Sequence, residues 1–133
     1  MTETGGASPL SLPERIEAIE QAYELMLAYA AQGRQNDTDD SSSIRRFLNR
    51  ADAALDGLAS ALRGAADRAA FGDFIDVVEQ DALRTRAALR LVLAQRAMSS
   101  QLIDNLNASI HIRALLTDIF LIDEAMKGPA ADG

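Results

Sequence analysis

Between Phe71 and Val92 the chain holds to one spacing. Phe71, Ile75, Val78, Ala82, Thr85, Leu89 and Val92 stand alternately four and three residues apart. Such a row lines one side of a helix, whereas a strand would change face at every residue. Ile44, Leu48, Ala51, Leu55, Leu58 and Leu62 repeat the same alternation, and rows of this kind bury by interdigitating with a facing helix. No stretch alternates convincingly as a strand, and no internal repeat is found. Hydrophobic residues make up 48% of the chain with only 5% aromatic and no Trp. The balance is mostly Ala, Leu and Ile, a mix suited to helices. The fold expected is all-α: an antiparallel bundle of four helices over about 12–33, 44–63, 73–98 and 109–127.

Local signals set those boundaries. In "SLPE", Ser11 is placed to cap the first helix, Pro13 falls in its first turn, and Glu14 completes a capping box. Ile16, Ile19, Tyr23, Met26, Leu27 and Ala30 share one face of that helix, and Gly33 closes it. Residues 34–43 are polar, acidic and rich in turn formers, so they read as a linker. Gly64 ends the second helix. Asp73 opens the third, with Asp76 at the position of a capping-box acid. Beyond Val92 the seam would next present Arg96 and Ser99 before Ile103, Leu106 and Ile110 resume it. Either the helix continues with one polar layer, or it breaks. The Ser, Asn and Asp residues between 98 and 109 favour a break. Gly128 and Pro129 close the fourth helix. Residues 1–10 and 129–133 read as a disordered lead-in and tail around a single domain.

Composition narrows the chemistry. There is no cysteine, hence no disulfide, thiolate nucleophile or zinc–thiolate site. The net charge of -7 opposes binding to nucleic acid or to an anionic membrane surface. No apolar run reaches the ~20 residues that span a bilayer, and the N-terminus lacks the basic and apolar regions of a signal peptide. A cytoplasmic protein without cofactor is expected.

Few polar residues stand out. His111 is the only histidine and has Ala108 three residues before it, which excludes the Glu-x-x-His pattern of carboxylate-bridged metal bundles. Asp118 lies near its azimuth, but seven residues separate their Cα atoms by about 10 Å, too far for a simple dyad. Nothing near Ser109 resembles a nucleophile elbow, and no Gly-rich phosphate loop is present. Arg96 on the seam must snorkel at the bundle end or pair with an acid such as Asp104. Arg45, Arg46 and Arg50 read as a solvated face pairing with Asp52 or Asp56, and Arg86 and Arg90 as a solvated row. In size, acidity and class the chain resembles histidine phosphotransfer domains, which carry Lys three and Gly four residues after an exposed histidine. Here those positions hold Ala114 and Leu115, so the motif is absent.

The fourth predicted helix is apolar on two sides. Ile112, Leu115, Leu116, Ile119, Ile122 and Met126 form a wide face, while Ile110, Ala114 and Leu121 form a surplus stripe nearly opposite. In a bundle with one core no helix is central, so the surplus stripe points to a homodimer or a partner protein. The expected function is that of a non-enzymatic interaction protein: an adaptor, regulator or assembly chaperone. The alternative is a ligand-binding or catalytic bundle using His111 and Arg96, for example a divergent phosphotransfer-like domain.

Overall fold

A computed structural model describes residues 10–35, 44–66 and 69–127. They form six helices: α1 (Leu12–Ala30), α2 (Ile44–Leu55), α3 (Leu58–Ala65), α4 (Ala69–Leu93), α5 (Ser100–Ala108) and α6 (Ile110–Lys127). No strand occurs among the described residues. The expected lead-in apart from Leu10, the linker from residue 36 onward, and the expected tail lie outside the described residues.

The two sequence rows become the core. Ile44, Leu48, Ala51, Leu55, Leu58 and Leu62 are all buried, as are Ile75, Val78, Ala82, Thr85, Leu89 and Val92. Two changes turn the four expected helices into six: the second divides, and a further helix forms between the third and the fourth. The second predicted helix divides at Asp56–Gly57, where Gly57 adopts φ +90°, a left-handed conformation costly for any residue with a Cβ. The third starts earlier, at Ala69, and ends at Leu93. The break foreseen after residue 98 therefore comes sooner and is followed by α5. Ser99 caps α5, its side chain accepting from the backbone N–H of Leu102 at 3.0 Å. Ser109, extended at ψ 144°, then separates α5 from α6.

The start of α1 follows its expected cap. The backbone N–H of Ser11 donates to Glu14 Oε1 at 2.8 Å, and that of Glu14 to Ser11 Oγ at 3.2 Å. Its buried face is rotated from the expected one, comprising Arg15, Ala18, Ile19, Ala22, Met26 and Tyr29, while Leu27 is exposed. Of the large residues on that face, the two polar ones, Arg15 and Tyr29, are held by hydrogen bonds rather than by apolar contact alone. Tyr29 donates its hydroxyl to the carbonyl of Met98. The carbonyl of Tyr29 accepts from Ser100 Oγ at 2.7 Å.

Two arginines join helix ends. Arg15, only 7% exposed, donates from Nε to Leu10 O at 3.1 Å and from Nη1 to Ala54 O at 2.9 Å and Asp56 O at 2.6 Å. The last two carbonyls lie where α2 ends, a region of orphan acceptors and partial negative charge. Arg45 plays the same part at the end of α4. It donates to Leu93 O at 3.0 Å, Gln95 O at 2.7 Å and Arg96 O at 3.1 Å. It is thus not the solvated partner of Asp52 or Asp56 expected from sequence. Asp52 instead meets Arg86 Nε at 2.8 Å.

Candidate functional site

Where α4 meets α6, packing creates both a surface and a buried polar seam. On α6, Ile112, Leu115, Leu116, Ile119 and Ile122 point into the core. At 100° per residue, Ile110, Ala114, Thr117 and Leu121 then fall on the outer side. Ile110 is 74% exposed and Leu121 56%, while Ala114 is half-buried. Phe120, also 56% exposed, sits beside this row and was not singled out from sequence. Arg113 and Glu124 are exposed on the same flank. Neither joins an ion pair among the described residues. On α4, Val77, Leu83 and Leu91 are exposed as well.

Behind this surface lies the polar seam. Thr85, buried on α4, donates its hydroxyl to the carbonyl of His111 at 3.1 Å. One turn earlier, Asp81 faces Asp118, which is 7% exposed. Among the described residues, Asp118 Oδ2 is buried without a hydrogen-bond partner. Burial pushes the Asp118 carboxyl up to about 7, and the hydrogen bond to Asp81 and that residue's charge push in the same direction. Arg84 Nη1 lies 3.4 Å from Asp81 Oδ1.

The polar residues singled out from sequence are scattered. His111 is half-buried, and among the described residues its imidazole makes no hydrogen bond, including none to Asn107, whose buried Oδ1 has no partner. Arg96 lies exposed in the turn after α4 rather than on a core seam, because the helix ends three residues before it. Its carbonyl serves Arg45, and no ion pair joins it to the exposed Asp104 among the described residues. Thr85, which touches His111, precedes Leu93 by eight residues, about 12 Å along the helix. Arg96 lies further still, so Arg96 and His111 form no common site.

Asp118 was weighed from sequence only as a partner for His111. The signal for its burial lies in the spacing, because it stands three residues after Leu115 and four before Ile122, on the edge of the core arc. An acid at such a position needs a partner or a proton.

The space between α1, α2, α4 and α6 offers little room for a ligand. A cavity of about 20 Å³ lies between α1, α2, α4 and α6, lined by Ala22, Met26, Ala51, Leu89 and Leu115 among others, which is space for about one water molecule. Among the described residues no three His, Cys, Asp or Glu side chains are grouped to hold a metal, and no helix is long and apolar enough to cross a membrane. No protein-family model matches the chain, and comparison with curated proteins and with solved structures yields no match.

Proposed function

We propose that this chain is a non-enzymatic interaction protein, an acidic antiparallel helical bundle that pairs with a second copy through the outer face of α6. It would serve as an adaptor, regulator or assembly chaperone. The observation that carries this reading is the exposure of Ile110, Phe120 and Leu121 within about 100° of one helix circumference. The antiparallel arrangement is supported by the order of cross-helix contacts. Arg15 on α1 reaches residues 54 and 56 at the end of α2. Arg45 and Asp52 on α2 reach residues 93–96 and Arg86, respectively.

Full burial of one large apolar side chain contributes about 1.5–3 kcal/mol. Six of them, already partly covered, would supply on the order of 10 kcal/mol against an association cost of about 4–15 kcal/mol. That balance leaves at most about 6 kcal/mol, a dimer no tighter than tens of micromolar. Arg113 and Glu124 give such a pairing a register. In two α6 helices crossing antiparallel about residues 118 and 119, Arg113 of each copy meets Glu124 of the other. Single reversals place like charges together, and the double reversal restores attraction.

Light scattering and sedimentation between about 10 μM and 1 mM test the proposal. The expected result is a dimer that Leu121→Glu converts to monomer. Arg113→Glu alone and Glu124→Arg alone should weaken it, and the double variant should recover it. A wild-type monomer whose behaviour Leu121→Glu leaves unchanged would overturn the dimer. A dimer insensitive to both charge reversals would overturn the register alone.

A further inference from the structure

We propose that the α4–α6 seam is a proton-operated latch: Asp81 and Asp118 hold one proton between two packed helices, and its loss sets α6 against α4. The inference does not depend on whether α6 meets a partner. It begins with the orphaned Oδ2 of Asp118, a carboxyl oxygen buried with no donor to satisfy it. The side chain that faces Asp118 is Asp81, itself only 15% exposed. Ionised carboxylates only accept hydrogen bonds, so two of them cannot bond to each other. A single proton turns one carboxyl into a donor and the contact from repulsion into a hydrogen bond.

Among the described residues the surroundings supply no other remedy. From α4, Arg84 reaches Asp81 but is 57% exposed, where solvent screens its charge. Thr85, on the next turn, gives its hydroxyl to His111 O and not to Asp118. On α6 itself, His111 lies two turns away, about 10 Å along the axis. From α5, Asp104 is exposed and would add only negative charge. On α1, Glu17 and Glu20 line a groove with Asp123, which stands about 140° around α6 from Asp118.

The folded protein therefore binds this proton more tightly than the unfolded chain does. The carboxyl of Asp118 stands at about 7 in the fold against 3.8 as its ordinary value. A group raised in this way stabilises the fold fully below about pH 4, and the contribution is lost as pH rises through about 7. Asn at either position keeps a donor in the seam at every pH.

The test is a carboxyl-carbon NMR titration of the aspartates in the full chain, run beside thermal unfolding of wild type, Asp118→Asn and Asp81→Asn between pH 5 and 9. One aspartate of the pair should titrate near neutrality, well above the ordinary carboxylate range. The wild type should lose melting temperature relative to both variants as pH rises. Hydrogen exchange in α6, compared with Asp118→Asn at each pH, should quicken over the same interval. Titration of both aspartates in the ordinary range would overturn the latch, as would variants whose melting profiles run parallel to wild type. If neither variant folds, the wild-type titration alone decides.

Discussion

Replacing Arg15 with Ala should show how much of this fold rests on one guanidinium. Arg15 donates three hydrogen bonds to backbone carbonyls, at 3.1, 2.9 and 2.6 Å, while remaining 7% exposed. Hydrogen bonds from a charged donor contribute about 1.5–3 kcal/mol each, but the three do not simply add. The carbonyls of Leu10 and Asp56 are only part-buried and can turn to water once the guanidinium is gone. The carbonyl of Ala54 is in a buried bond, and leaving it without a donor costs about 1–3 kcal/mol. Removal also relieves the burial of a charge, which offsets part of the loss. The balance is roughly 3 kcal/mol, a fall in Tm of about 10 °C for a chain of this size. Urea unfolding should give a lower midpoint with an unchanged m-value. Arg15→Lys should retain most of the defect, because a single ammonium has no fork to span carbonyls on two segments. A loss below about 1 kcal/mol for Arg15→Ala would refute the bridging role. A neutral Arg15→Lys would show that charge alone suffices.

The capping box at the start of α1 should make Ser11→Ala cost about 1 kcal/mol in urea unfolding, although the site is exposed. Tyr29→Phe, which removes the donor to the Met98 carbonyl, should cost about 1–3 kcal/mol. It should also accelerate hydrogen exchange at the first turn of α5 before the rest of the molecule. An exchange pattern changed uniformly would place the effect elsewhere.

The legible parts of this chain are those where spacing and chemistry agree over many residues. The rows from Ile44 to Leu62 and from Phe71 to Val92 predicted buried faces, with Phe71 alone left partly buried, because helical periodicity repeats over several turns. The surplus stripe on the last helix was visible for the same reason, and Ile110 and Leu121 are exposed. Single positions were less legible. Gly57 interrupts an otherwise continuous row, and its left-handed backbone lies against the Arg15 guanidinium, which approaches a would-be Cβ to 3.4 Å. The glycine expected to end that helix was Gly64, seven residues later. The face of α1 was misplaced because Arg15 and Tyr29 count as polar or amphipathic in a periodicity argument. Carbonyls brought from distant segments are what make their burial tolerable.

Sequence alone determined that this chain would be all-helical, and it located the two apolar rows that form most of the core. Both follow from a 3.6-residue repeat and from side-chain preferences that act within a few residues. Only the tertiary structure decided what the polar residues near those rows do. Arg45 was expected to be solvated, yet it binds the end of α4, and Arg96 was expected on a seam, yet it stands in a turn. Asp118 on α6 faces Asp81 on α4, a residue more than thirty positions earlier in the chain. A polar side chain takes its role from whichever donor, acceptor or charge the fold places within about 3 Å of it, and that neighbour is seldom one the local sequence can name.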